Sequence, residues 1–292
     1  MRYTDGNDMR TVLIETAYDG SGFHGWQIQP GVRTVQEELE QALSFICGEP
    51  IRVQGSSRTD AGVHAYGQAA SFTGNFGIPA ERIPVAVNRL LSDIRVGKAE
   101  EKPEGFHARY NAVGKTYLYR VSFTDIPDIF MRNYCYRLNK RLNTGNMEEA
   151  ATYLIGTHDF NAFRSSGGQR LRTTVRTVCG LSVSETTGRE GRAPIAAGGA
   201  DPGRTEWTFR ITGDGFLYNM VRIIVGVLVE VGLGRRKPED MKDILDSGDR
   251  SRAGHTAPAG GLYLERVYFS EAEMDRSKGA PVGTRSDIGK TS

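Results

Sequence analysis

The chain is 292 residues long, with 38% hydrophobic and 25% charged residues and a formal net charge of +2, an ordinary mix for a globular protein. Its length suits about two ordinary domains or one large sheet-based one. The longest apolar run, Met220 to Leu233, contains Arg222 and Glu230 and is too short to span a bilayer, which excludes a membrane helix. The three cysteines, Cys47, Cys135 and Cys179, are far apart and odd in number. They read as reduced thiols of a cytoplasmic protein and exclude a disulfide frame or a Cys-x-x-Cys metal site.

Residues 1–9 are polar and read as a flexible tail without a secretory signal. Thr11 to Ala17 is rich in β-branched residues and predicts a strand, closed by the turn Tyr18-Asp19-Gly20-Ser21-Gly22. Thr34 and Glu37 have capping-box spacing, Val35, Leu39, Leu43 and Ile46 follow at helical period, and Gly48 supplies the stop. Strands near 51–54 and 67–73, a helix over 80–91 and a strand over 94–99 complete a β-α-β-β-α-β order. The order then repeats. Thr116–Phe123 alternates so that Tyr117, Tyr119, Val121 and Phe123 share one face. A helix near 146–155, strands near 173–184 and 205–212, the apolar helix 217–232 and the strand 262–269 follow.

The fold expected is therefore α/β (α+β). Two tandem βαββαβ halves, 10–112 and 113–270, join in one mainly antiparallel sheet, with helices on one face and a cleft on the other. Thr186–Gly203, rich in Gly, Ala, Pro and Arg, predicts a flexible insertion, and 271–292 a disordered tail.

One stretch draws attention for chemistry. Gly55 to Gln68 holds a single carboxylate, Asp60, between Arg58 and His64, among three glycines and between two strands. A loop carried by rigid strands is a common place for a reactive group, and a plain turn is the simpler reading. Arg109 to Thr116 approaches a phosphate-binding P-loop, but Arg109 stands where glycine is needed and a strand follows instead of a helix. The five histidines form no metal-ligand pattern. Arg222 near the start of an apolar helix calls for a carboxylate, a phosphate or a route to solvent. Phe23 and Trp26 read equally as core or as a base-stacking platform. The basic runs Arg132–Arg141 and Ala162–Val178 suit a polyanion or a solvated face.

Arg58-Thr59-Asp60-Ala61-Gly62-Val63-His64-Ala65 resembles the active-site motif of the tRNA pseudouridine synthases of the TruA family. Tyr18 to Gln27, Phe106 to Arg109, Lys115 to Tyr119, Gly156 to Phe160, Met220 to Gly226 and Thr256 to Leu264 resemble that family in the same order. The resemblance spans roughly residues 10–270 and leaves out the 186–203 insertion and the tail. It implies an isomerase that converts uridine to pseudouridine at positions 38, 39 and 40 of the tRNA anticodon arm, as a homodimer without metal or organic cofactor. By the same resemblance Asp60 is the catalytic nucleophile, with attack at C1′ and removal of a proton from C2′ both open, Arg222 is its catalytic partner, and Tyr117 is a catalytic ring stacked on the uracil and placed to assist proton transfer at C5. Arg58, which would displace the base, His64 and Leu262 stand with Tyr117 at the substrate. The rival readings are an Asp-based N-glycosidase, which needs a second carboxylate, and a non-catalytic RNA-binding module.

Overall fold

The structure, a computed structural model, describes residues 9–124, 128–167, 172–188 and 204–277. The first half runs β1 (Arg10–Tyr18), α1 (Val35–Cys47), β2 (Val53–Gly55), β3 (His64–Gly74), α2 (Ile83–Val87) and β4 (Ile94–Lys102). The second runs β5 (Gly114–Phe123), β6 (Tyr136–Leu138), α3 (Thr144–Thr152), β7 (Gly156–Asp159), β8 (Val175–Gly188), β9 (Arg204–Gly213), α4 (Met220–Gly232), α5 (Asp240–Ser247) and β10 (Leu262–Tyr268). A last helix, α6 (Glu271–Ser277), follows.

All ten of these strands belong to one sheet, in the order β4-β1-β3-β10-β5-β9-β8-β7, with β2 beside β3 and β6 beside β5. The duplication is visible in its topology. The first half reads β4-β1-β3-β2 and the second β10-β5-β9-β8, the same split-βαβ order with antiparallel neighbours throughout. The halves meet at a short parallel seam, where Tyr263 pairs with His64 and Leu264 with Ala65.

Among the described residues three hydrophobic clusters pack on the sheet, two large and one small around Leu13, Ala69 and Ala108; the large two carry the helices. One packs α1 and α2 on Val12, Ile14 and Phe72; the other packs α3, α4 and α5 on Tyr119, Val121 and Phe209. Strand alternation puts Leu262 and Leu264 on the same face of β10, and Leu262 belongs to the second cluster, Leu264 to the first. Both helix groups therefore lie on one face. Tyr117 touches both clusters, and it and Lys115 line the central cleft on that same face. The expectation of a cleft opposite the helices is thus corrected: the cleft is the gap the two helix groups leave between them.

Other differences have local causes. Thr34 stands at the N-terminus of α1 with extended backbone but makes no capping bond. The first amides of the helix are already taken, Val35 N–H by Gly25 O (3.2 Å) and Gln36 N–H by Trp26 O (3.0 Å). The helix expected over 80–91 is a 3-10 turn and a five-residue α2. It stops because the Asn88 amide turns to bond both backbone groups of Val96 (2.8 and 2.9 Å). Residues 271–277, expected in a disordered tail, form α6, anchored by buried Met274, whose sulfur lies against Gly114. Residues 186–188, expected in the insertion, extend β8, with Gly188 opposite Arg204. The rest of the insertion and tail, and residues 1–8, lie outside the described residues. Among the described residues no helix is long and apolar enough to cross a membrane.

Candidate active site

The loop carrying Asp60 is fastened from behind. Ser56 N–H bonds Ala69 O (2.8 Å), and the fully buried Gln68 side chain brackets Ser57, accepting from its N–H (3.1 Å) and donating to its carbonyl (2.8 Å). The Tyr18–Trp26 turn closes the other side, with Trp26 N–H on Thr59 O (2.9 Å) and the hydroxyls of Tyr18 and Thr59 2.8 Å apart. This contact requires glycine at position 25, where φ is +91° and a Cβ would stand 2.7 Å from Thr59 O. Phe23 and Trp26, 3% and 2% exposed, are core residues here, not a stacking platform.

Held this way, Asp60 turns its side chain into the cleft. Its backbone carbonyl accepts from Val63 N–H (3.1 Å), but among the described residues its carboxylate accepts no backbone hydrogen bond. Its nearest cation is Arg222, with Nη1 3.6 Å from Oδ2, an ion pair just longer than a hydrogen bond. Arg222 is itself tethered: Nε donates to Ala257 O (2.7 Å) and Nη1 to Asn219 Oδ1 (2.8 Å). Burial pushes the Asp60 carboxyl above its ordinary value, and the Arg222 charge opposes that shift without cancelling it.

The rest of α4's N-terminus shapes the opposite wall. Asn219 precedes the helix in the left-handed region (φ 62°, ψ 6°), the single non-glycine residue of that kind among those described. Its amide reaches Ser165 Oγ (3.0 Å) as well as Arg222, so one residue sets the helix start and the guanidinium together. One turn on, Gly226 lets the 255–257 segment press against the helix, since a Cβ there would meet His255 O at 2.2 Å.

The cleft has a volume of about 560 Å³. Asp60, Tyr117, Arg222, Arg58 and Leu262 all line it, so five of the six residues singled out in the sequence converge. The Tyr117 ring meets Phe216 edge-on at 5.1 Å, and burial pushes its phenol up to about 12, so the hydroxyl stays protonated near neutrality. Arg58 is exposed at the lip and Leu262 is buried in the floor. His64 does not reach the cleft. It is 2% exposed, takes Gly20 N–H on Nδ1 (3.0 Å), faces Asn133 O with Nε2 (2.9 Å) and stacks on Tyr263. The expectation that His64 stands at a substrate is corrected: the loop doubles back there into β3, and the ring braces the loop from behind.

Several lining residues were not singled out. Phe216, Tyr218 and Asn219 enter because the helix starts at Met220, leaving residues 216–219 as a wall. Arg109 and Lys115 belong to the segment dismissed as a P-loop, and Arg164 to a basic run whose face was undetermined. Among the described residues Asp60 is the sole carboxylate of the lining, set against Arg58, Arg109, Lys115, Arg164 and Arg222. A cationic cleft around one aimed carboxylate suits a polyanionic substrate attacked at an electrophilic carbon. Among the described residues no cluster of His, Cys, Asp or Glu has metal-binding geometry.

Comparison with known proteins shows the family of the chain. The sequence profile of the family described as tRNA pseudouridine synthase matches residues 15–111 and 150–270, which include every residue of the Asp60–Arg222 pair and its tethers. A tRNA pseudouridine synthase A of Acetivibrio thermocellus is 44% identical over 262 residues, covering 89% of this chain and 100% of the relative. One from Bacillus subtilis is 47% identical over 256 residues, covering 87% and 96%. One from a Thermoanaerobacter species is 44% identical over 262 residues, covering 89% and 100%. The chain belongs to the tRNA pseudouridine synthase family of isomerases.

Proposed function

We propose that the protein isomerises uridine to pseudouridine at positions 38, 39 and 40 in the anticodon stem and loop of tRNA, with Asp60 as nucleophile. The observation that carries this reading is a carboxylate that, among the described residues, stands alone in a cationic cleft without backbone bonds, 3.6 Å from a tethered guanidinium. The choice of tRNA follows the relatives' names, and the three positions follow the motif resemblance around Asp60.

The reaction breaks the bond from C1′ to N1, turns the uracil and joins C5 to C1′. The C5 proton leaves to solvent and N1 regains one, so atoms and electrons balance within the isomerisation. Asp60 attacks C1′, the electron pair of the C1′–N1 bond leaves with the uracil, and the carboxylate departs again when C5 bonds C1′. Arg222 keeps the carboxylate ionised and oriented, since its own tethers to Ala257 and Asn219 fix the guanidinium before substrate arrives. A stacked uridine must first leave the helix for C1′ to be reached. Arg58 at the lip takes its place in the stack, while Tyr117 and Leu262 flank the extruded ring. With its hydroxyl protonated, Tyr117 orients the base and donates a hydrogen bond; it does not act as a ready-made base.

Incubation with tRNA transcripts tritiated at uridine C5, each retaining one of the three target uridines, tests this. Tritium release with pseudouridine at that position is expected. Free uracil would mean glycosidic hydrolysis, and binding without either product would remove the catalytic reading.

A further inference from the structure

Lys115 stands two residues before Tyr117 on β5 and on the same face, roughly 6.6 Å along the strand. It lines the cleft together with Arg109. Among the described residues no carboxylate pairs with it and no hydrogen bond engages its ammonium. Asp214, which follows its cross-strand partner Gly213, is occupied by Thr177 N–H (3.0 Å). The cleft's own carboxylate, Asp60, is paired with Arg222. What lies near Lys115 instead is further positive charge, Arg109 and Arg176, and the Arg176 guanidinium donates to the carbonyls of Thr173 (3.2 Å) and Val175 (2.6 Å), not to an acid. Burial first, and then these two guanidiniums, depress the Lys115 ammonium to about 8. A cation desolvated among cations is unfavourable unless an anion completes the site.

We propose that Lys115, with Arg109, forms a subsite for one backbone phosphodiester flanking the target uridine, and so sets the register in which a nucleotide meets Tyr117 and Asp60. A phosphodiester brings one negative charge and two free acceptor oxygens, which matches an ammonium and a guanidinium on one cleft wall. The strand fixes the ammonium and the Tyr117 ring relative to each other, so holding the phosphate positions the base. This proposal rests on the tRNA-isomerising reading of the same cleft.

The test uses anticodon-arm substrates in which single linkages around the target uridine are replaced by neutral methylphosphonate, one per substrate, assayed by tritium release. Wild type must turn over the unmodified arm; if it does not, the isomerase reading falls and the subsite is not what failed. At one linkage within two nucleotides of the target, wild type should lose about tenfold in kcat/KM, mostly through KM. Lys115→Met should lose a similar factor on the unmodified arm and almost nothing further at that linkage. Lys115→Arg should recover most of the binding. The slope of log affinity against log salt should fall by roughly 0.7 to 0.9 in Lys115→Met. Arg109→Met, on an exposed loop, gives the same coupling if Lys115→Met is poorly folded. Losses that add at every linkage, or failure of Lys115→Arg to rescue a folded Lys115→Met defect, would overturn the subsite.

Discussion

Asp60 bears a conflict between stability and chemistry, and the conflict has measurable signs. Its folded carboxyl is raised above the ordinary value of 3.8, with burial the larger influence and Arg222 opposing it. The folded state therefore binds the proton more tightly than the unfolded chain. Stability falls as pH rises from about 4 through the raised value, and the penalty persists at neutrality. Asp60→Asn should thus melt at an equal or higher temperature than wild type at pH 7, and the gain should shrink toward about pH 4. Arg222 keeps its bonds to Ala257 and Asn219 in that variant, so it is not left as a bare charge. Arg222→Leu removes those bonds too and should melt lower. Both single variants should lose roughly 10³ or more in kcat on tRNA, and the double variant little beyond either, as groups acting in one step behave. Turnover of Asp60→Asn within about tenfold of wild type would end the nucleophile assignment. The acid limb of kcat/KM against pH should lie above the ordinary aspartate value, and Arg222→Gln should move it higher still, because the opposing charge is gone. Asp60 and Arg222 draw attention in the sequence as a carboxylate among glycines and an arginine on an apolar helix, but each has a plain structural reading, and it is the motif resemblance that singles them out. His64 breaks no local rule, and the groups its ring touches, Asp19, Gly20, Asn133, Tyr134 and Tyr263, are all distant in sequence, which no local pattern encodes.

At the scale of elements, the start of α4 sets the site as much as the Asp60 loop does. Asn219 holds a left-handed backbone that costs most residues about 1 kcal/mol or more, and its amide tethers Arg222. Substitutions separate the two duties. Asn219→Gly keeps the backbone and loses the tether, so thermal stability should stay close to wild type while kcat falls about tenfold. Asn219→Ala adds the backbone strain and should also lower stability, by about 1 kcal/mol in denaturant melts. Equal kcat in Asn219→Gly and wild type would show that Ala257 alone suffices to aim the guanidinium. The apolar run predicted the helix but not this start, because Phe216 and Leu217 continue its hydrophobic pattern while the chain bends to make a wall. The short strands β6 and β7 were equally hidden. Each has three or four residues and exists through pairing with β5 or β8, a tertiary condition. The long strands β1, β5 and β10 were legible since β-branched and aromatic residues dominate them.

On the scale of the whole molecule, alternation revealed which residues share a face, but not that two helix groups leave a gap there. That gap concentrates charge. A chain of net charge +2 presents a cleft with one carboxylate among several cations, so tRNA binding should weaken steeply between about 50 and 200 mM salt, despite the near-neutral total. An affinity flat over that range would remove the electrostatic part of the reading. The same architecture says which stretch is dispensable. Strands β8 and β9 pair in unbroken register from Gly180↔Thr212 out to Gly188↔Arg204, so the ends of the 189–203 connection are already neighbours across the ladder. A two-residue Asn-Gly turn is enough to join such ends. The pairs nearest the cleft lie at the opposite end of the ladder, where Lys115 stands against Gly213. Replacing residues 189–203 with Asn-Gly should therefore leave the melting temperature unchanged or slightly raised, since a shorter loop closes at lower entropic cost. Tritium release from tRNA should stay within about twofold of wild type. A folded variant with a large rise in KM and unchanged kcat would instead make residues 189–203 part of the tRNA-binding surface.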